Sequence, residues 1–366
     1  MTNVAPAKPR SSNLELYRII CMLMIVAHHF VVNSGLYQFI LPSNPTAPNS
    51  IFLWLFGMWG KTGINCFLLI TGYFMCKSQI TLQKFLKLIL EIYFYKIAIF
   101  LVFYFTGHEH LSLSGIIQLI MPFWGFNNNF TDCFIVFYLT IPFWNILIRN
   151  MTKKQHQLLL LLLLGIYSVL GNIPHFTITF NYVTWFGVIY LISSYISLYP
   201  IPAFQNRRLW GLLTVVSIAA SMASVVFMVR FSLQSAYFFV TDSNKLLPVF
   251  VALSSFLWIK NINIPQSNLI NAIGGSTFGV LLIHASSDAM RLWLWNGVLD
   301  CIGHYSLPLG KLILFSIGAV LAVFTACTLI DRLRILLLEK PLFNHLCGKG
   351  DSPLFHIFTS CSEFDL

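Results

Sequence analysis

The sequence predicts an all-α polytopic membrane protein with about ten transmembrane helices in one bundle and both termini in the cytoplasm. Three observations lead to this prediction. Of the 366 residues, 57% are hydrophobic and only 9% are charged, which lies far outside the range of soluble domains. Apolar runs of about 20 residues, long enough to cross a hydrocarbon core, recur along the chain. Proline and asparagine clusters separate these runs, as expected of connecting loops.

The apolar runs give ten predicted spans. The predicted spans are 16–36, 51–75, 85–105, 131–148, 156–172, 183–199, 210–230, 243–259, 270–290 and 311–337. Between the third and fourth spans, the segment 114–126 is predicted as either a loop or a short re-entrant piece. The boundaries predict a cytoplasmic N-terminal tail at 1–14, a membrane domain at 15–341 and a cytoplasmic C-terminal tail at 342–366.

The basic residues predict the orientation. Most of the 22 Lys and Arg residues fall in segments that a cytoplasmic N-terminus places inside, in agreement with the positive-inside rule. The residues that this orientation leaves outside are Lys61, Arg230, Lys245, Arg291 and Lys311, while Lys96 stays within the third span. The net charge of +10 therefore reflects topology, and we expect no nucleic-acid partner.

The cysteines and histidines show no metal-binding pattern. The eight cysteines form no CxxC pair and lie mostly in apolar segments, where cysteine behaves as a small hydrophobic residue. The loop sequence His108-Glu109-His110 has no standard zinc-ligand spacing. We expect neither a disulfide framework nor a metal.

The first span carries an arginine and a histidine on one helical face. The 11 helical steps from Arg18 to His29 correspond to about three turns plus 20°, with a rise of about 16 Å, and Met22 and Ile25 lie between them on the same stripe. Ionisable groups at membrane depth usually face a bundle interior or a wet cavity. A purely structural alternative remains, in which Arg18 reaches the headgroups and His29 bonds to a neighbouring helix.

Three other ionisable residues are candidates of the same kind. His284 in the ninth span is expected at a depth comparable with His29. There it would position an acceptor, orient His29, share in proton transfer or only bond to another helix. Glu339 would pair with Arg334 or Lys340 at a helix end or take part in catalysis. Asp132 begins the fourth span and would cap it or, as the less favoured alternative, contact an acceptor sugar.

The segment ELYRIICMLMIVAHHF resembles the opening motif of the acyltransferase-3 family of bacterial integral membrane acyltransferases, in which ten residues separate an arginine from a histidine. Further segments resemble family motifs in the same order. These segments are INCFLLITGYFM (64–75), FIVFYLTIPFWNILI (134–148), WFGVIYLISSYI (185–196), STFGVLLIH (276–284) and LEKP (338–341). Thr71 stands where the family usually has serine.

The resemblance implies a multi-pass O-acyltransferase of the bacterial plasma membrane. Its members transfer an acyl group, usually acetyl from cytoplasmic acetyl-CoA, to a hydroxyl of an envelope polysaccharide or glycolipid. His29 would be the general base, assisted by Arg18 and His284, because neutral histidine accepts a proton near pH 7.

The same resemblance implies a place for the donor. Arg18, Lys84 and Lys87 would bind the phosphates of acetyl-CoA. The alternative function is a transporter of a small anion or a lipid-linked glycan that uses Arg18 and His29 as substrate or proton sites.

Overall fold

The computed structural model describes residues 11–121, 129–173, 176, 178, 180–231 and 235–348. All its regular elements are helices, and no β-strand occurs in the described ranges. The α-helices are α1 (Ser12–Val32), α2 (Leu36–Ser43), α3 (Pro48–Gly57), α4 (Gly60–Met75), α5 (Leu82–Phe105), α6 (Leu113–Ile120), α7 (Phe130–Asn150), α8 (Lys153–Leu164), α9 (Tyr182–Leu198), α10 (Arg207–Arg230), α11 (Leu246–Lys260), α12 (Asn268–Gly275), α13 (Thr277–His284), α14 (Asp288–Leu292), α15 (Leu309–Arg334) and α16 (Lys340–Gly348).

The membrane-spanning character of the fold is confirmed, but the count of ten is not. Within the described ranges, seven helical stretches are long and apolar enough to cross a membrane, and a bent pair raises the number to eight. The seven are Ser12–Val32, Pro48–Met75, Leu82–Phe105, Phe130–Asn150, Lys153–Asn172, Arg207–Arg230 and Leu309–Phe343. The predicted sixth and eighth spans correspond to α9 and α11, which at 17 and 15 residues are shorter than the usual span.

The predicted ninth span is not one straight helix. Asn268–His284 and Asp288–Ser306 meet at 95°, with the break directly after His284. The side chain of Ser287 accepts a hydrogen bond from the backbone N–H of Met290 at 3.1 Å and so begins α14 in a new direction. A single continuous span over 270–290 was the wrong prediction, because no glycine or proline lies in the break to mark this turn.

Helix α1 is the centre of the bundle. It packs against α3, α4, α11, α12, α13 and α15, and its buried side chains belong to both hydrophobic clusters of the interior. Gly60 makes one of these contacts possible, because a Cβ at this position would overlap the ring of His28. The ionisable residues of α1 are therefore surrounded largely by protein rather than by lipid.

Part of the predicted organisation lies outside the described residues. Residues 1–10 and 349–366 belong to the two predicted tails, and 122–128 overlap the segment that was predicted as a loop or re-entrant piece. The described part of that segment contains the short helix α6, which Ser112 caps through its side chain. The tail boundaries and the orientation stay predictions.

Candidate functional site

A cavity of about 610 Å³ lies beside the C-terminal half of α1. Helices α1, α4, α5, α7, α9, α13 and α14 contribute its walls, together with the break after α13. The lining residues that bear on chemistry are His28, His29, Asn33, Lys61, Lys96, Asp132, Tyr182, Ser286 and Arg291. This volume falls within the range of small-molecule binding sites.

The two predicted histidines meet at this cavity. Nδ1 of His29 lies 2.9 Å from Nε2 of His284, although 255 positions separate them in the chain. His29 lines the cavity, whereas His284 is fully buried behind it against the edge of Trp295. The structure thus brings together two of the three residues predicted as catalytic.

A second hydrogen bond determines how the protons are arranged in the pair. Nδ1 of His284 lies 2.6 Å from the backbone carbonyl of Val280, which can only accept a hydrogen bond. In a neutral His284 the proton is therefore on Nδ1, and Nε2 accepts from Nδ1–H of His29. The remaining nitrogen of His29, Nε2, then carries a lone pair, and it has no hydrogen-bond partner in the described part of the chain.

The break in the ninth span faces the same cavity. Ala285 and Ser286 line it directly after His284, and the buried hydroxyl of Ser286 has no hydrogen-bond partner among the described residues. Irregular backbone at membrane depth is tolerated where it borders a hydrated cavity or is covered by protein. Ser286 is therefore placed to contact a bound molecule, a role that was not predicted from sequence.

His28 also lines the cavity, but its ring is held differently. Its Nδ1 lies 2.6 Å from the backbone carbonyl of Gly57, at the end of α3. Helical periodicity separates His28 from the Arg18–His29 stripe by about 80°. The adjacent histidines therefore have separate partners, one on α3 and the other on α13.

The cations around His29 were not predicted as site residues. Lys61, Lys96 and Arg291 line the cavity together with the carboxylate of Asp132. Lys96 gave a usable signal, because a lysine inside an apolar span is a functional candidate by default. Lys61 and Arg291 were assigned only to outside segments, and their convergence depends on how distant helices pack.

Arg18 does not line the cavity. The wall follows the predicted stripe from His29 through Ile25 to Met22 and stops there, one helical turn (about 6 Å) short of Arg18. The Arg18 guanidinium forms an ion pair with Glu15 at 3.1 Å and keeps a quarter of its side chain exposed. Arg18 and His29 thus occupy one stripe, as predicted, but separate environments.

The predicted donor-binding lysines lie outside the cavity as well. Nζ of Lys84 donates to Oγ of Ser78 at 3.1 Å and to the carbonyl of Gln79 at 2.8 Å on an exposed surface. Lys87 is half exposed and forms an ion pair with Glu339. The structure therefore separates both lysines from the two histidines.

Glu339 makes one of its two predicted contacts. Its carboxylate pairs with Arg334 at 2.9 Å as well as with Lys87. Within the described ranges, Lys340 is not among its ion-pair partners. Glu339 does not line the cavity, so its position fits pairing at a helix end rather than contact with a substrate there.

Arg334 is the centre of a second buried polar cluster. Its guanidinium also pairs with Glu91 at 3.0 Å and with Asp331 at 2.9 Å, and Tyr95 donates to Oδ1 of Asp331 at 2.8 Å. None of these residues lines the cavity. The cluster is nevertheless connected to the site through α13. Asp331 packs so closely against Gly279 of this helix that a Cβ on residue 279 would overlap the Asp331 carboxylate.

The chain matches a known family over most of its length. The model of the acyltransferase-3 family, described as an acyltransferase domain, matches residues 11–332. No curated protein and no solved structure gives a significant match to the chain. Because the family match covers nearly the whole chain and the fold is a bundle of membrane-spanning helices, the protein belongs to the acyltransferase-3 family of membrane acyltransferases.

Proposed function

We propose that the protein transfers an acetyl group from cytoplasmic acetyl-CoA to a hydroxyl of an envelope polysaccharide or glycolipid, with His29 as the general base. The observation that carries this proposal is the hydrogen-bonded chain from Val280 through His284 to His29. That chain leaves a proton-accepting nitrogen on a residue of the cavity wall. An acceptor hydroxyl needs such a base, because it is a poor nucleophile while it keeps its proton.

The reaction balances with the groups at the cavity. Nε2 of His29 takes the proton of the acceptor hydroxyl as its oxygen attacks the thioester carbonyl. The tetrahedral intermediate collapses with loss of the CoA thiolate, which receives that proton and leaves as the thiol. His284 keeps its proton on Nδ1 throughout and supports the positive charge on His29 through Nε2.

The oxyanion of the intermediate needs donors on the cavity wall. The Ser286 hydroxyl and the Asn33 amide line the cavity with His29, and both can donate hydrogen bonds. Donors held in a water-poor site stabilise developing negative charge more strongly than donors in water. We assign this role to them because they border the same space as the base.

The donor would approach from the Arg18 end of α1. In the predicted orientation this end is cytoplasmic, and the cavity near His29 would lie in the outer half of the bundle. Arg18, Lys84 and Lys87 are the cations proposed to hold the CoA phosphates. The stripe through Met22 and Ile25, which lines the cavity, would then guide the thioester toward His29.

Purified full-length protein in lipid nanodiscs tests the proposal. Thiol release from acetyl-CoA and transfer of radiolabelled acetyl to envelope glycans would be measured together. We expect His29→Ala to lower transfer by about 10²- to 10⁴-fold while the protein stays monodisperse. Wild-type rates in His29→Ala would overturn the proposal.

His156 offers a matched control for the loss of a buried histidine. It lies in α8, is fully buried and contacts the carbonyl of Leu191 rather than the cavity. The transfer rate per folded molecule of His156→Gln should remain close to that of the wild type. An equal loss of transfer in both variants would indicate a folding effect and would contradict a specific role for His29.

A further inference from the structure

The charge of the cavity wall carries information about the acceptor. Among the described residues, three cations, Lys61, Lys96 and Arg291, share the wall with the single carboxylate of Asp132. With neutral histidines the wall therefore has an excess of positive charge, even if Asp132 neutralises one of the cations. An excess of one sign of charge in a cleft raises the local concentration of counter-ions, so a bound anion would be favoured there.

The partners of these cations do not remove the excess. Nζ of Lys61 donates to the neutral hydroxyl of Tyr182 at 2.6 Å, which keeps the lysine fixed without neutralising it. Arg291 pairs with Asp288, whose side chain is 86% exposed and does not line the cavity. Solvent screens such an exposed ion pair, so Asp288 offsets the charge of Arg291 only in part. Lys61 and Arg291 therefore present positive charge to the same space as His29.

We propose that the acceptor is an anionic glycan, whose carboxylate or phosphate binds Lys61, Arg291 and Lys96 while a nearby hydroxyl reaches His29. This inference rests on the proposed function and adds the chemical class of its substrate. A neutral glycan would leave the excess positive charge of the wall unbalanced, and such a mismatch is an effective basis for discrimination between acceptors. Arginine suits the planar geometry of a carboxylate or phosphate, and lysine supplies a point charge.

The donor is the competing source of an anion. Its phosphates would have to reach past His29 if it enters from the Arg18 end, about 16 Å away along α1. Lys61 and Arg291 belong to segments that the predicted orientation places outside, where the acceptor would enter. We therefore assign the cations to the acceptor, and the experiment separates the two assignments.

Envelope glycans from cells of the source strain with this gene deleted provide the natural acceptors. Anion exchange divides them into a neutral fraction, a uronic-acid fraction and a phosphate-containing fraction. Purified protein and radiolabelled acetyl-CoA are added to each. We expect label in an acidic fraction, and the fraction that takes it identifies the source of the charge. Label mainly in the neutral fraction would overturn the inference but not the proposed function, whereas no label in any fraction would contradict the proposed function.

Chemical neutralisation keeps the glycan and removes its charge. Carbodiimide activation followed by borohydride reduction converts uronic carboxylates to alcohols, and hydrogen fluoride removes phosphate. We expect the matching treatment to lower labelling of the acidic fraction by roughly tenfold or more, in line with the loss of a charge-assisted contact. Unchanged labelling after removal of the charge would also overturn the inference.

Substitutions then locate the anion. Lys61→Gln and Arg291→Gln should each raise KM for the acidic glycan about 10- to 100-fold, the range expected for loss of a charge-assisted hydrogen bond. Lys311→Gln is the matched control, since this exposed lysine at the start of α15 does not line the cavity. A rise in KM for acetyl-CoA instead of the glycan would assign the cations to the donor and overturn the inference.

Discussion

Two buried polar clusters lie on different sides of α13: the pair of His29 and His284, and the cluster centred on Arg334. They differ in whether they border the cavity. The histidine cluster ends at the cavity, because Nε2 of His29 has no partner in the described residues. The guanidinium of Arg334 meets the carboxylates of Glu91, Asp331 and Glu339 away from the cavity, although Oδ2 of Asp331 has no hydrogen-bond partner among the described residues. We call the histidine cluster open because it borders the cavity, and the Arg334 cluster closed because it does not. A proton-accepting nitrogen at a cavity can act on a bound molecule, whereas a buried polar network away from the cavity serves to hold the helices in place.

Helix α13 connects the two clusters. Gly279 faces Asp331, and His284 faces His29. The spacing between Gly279 and His284 places them about 140° apart around the helix axis. Helix α13 therefore packs between the two clusters, with the Arg334 cluster against one side and His29 against another.

The largest expected effect is on the closed cluster. Arg334→Met would leave three carboxylates without their shared cation, and loss of one partner of a buried ion pair costs about 3–5 kcal/mol. Thermal unfolding in nanodiscs would show a lower midpoint. The double change Arg334→Met with Asp331→Asn should recover part of the loss. A midpoint equal to that of the wild type would show that the cluster does not contribute to stability.

The next effect is on the open cluster. His284→Phe keeps a ring against Trp295 but removes the nitrogen that accepts from His29, so the proton on His29 is no longer held on Nδ1. We expect kcat to fall about 100-fold, with KM for acetyl-CoA unchanged. Steady-state kinetics measure both constants.

His284→Gln distinguishes positioning from packing. The amide oxygen of glutamine can accept from His29, so part of the lost kcat should return. Recovery by glutamine is not expected if His284 only fills space. A His284→Phe variant with wild-type kcat would contradict the proposed role of the pair.

The contrast between the clusters also shows what could and could not be predicted from sequence. Periodicity placed Arg18, Met22, Ile25 and His29 on one stripe, and all of these except Arg18 line the cavity. Apolar runs located most of the helices. These predictions succeeded because they depend on neighbours within a few turns.

The remaining features depend on contacts that are distant in the chain. The pairing of His29 with His284 joins two helices 255 positions apart, and the convergence of Lys61, Lys96 and Arg291 requires further elements. The turn after His284 lacks glycine and proline, the residues that most strongly mark a break in a helix. Ser287 produces this turn through a cap, which hydrophobic periodicity does not detect.

A smaller effect is expected where α1 meets α4. Gly60→Ala would place a Cβ against the ring of His28, and overpacking of this kind costs about 1–3 kcal/mol. Thermal unfolding should show the loss, and activity should fall because His28 borders the cavity. Gly318→Ala in α15 is the control, since a Cβ there meets no described atom within 4 Å. Equal midpoints for the two variants would contradict close packing at Gly60.

The smallest expected effect on stability is that of Lys87→Gln, at the border of the closed cluster. Half of the Lys87 side chain is exposed, so its pair with Glu339 should contribute at most about 1 kcal/mol. Glu339 keeps Arg334 as a partner, which limits the loss further. If Lys87 also holds a CoA phosphate, KM for acetyl-CoA should rise several-fold while the unfolding midpoint changes little. An unchanged KM would assign Lys87 to the closed cluster alone and leave Arg18 and Lys84 as the proposed donor contacts.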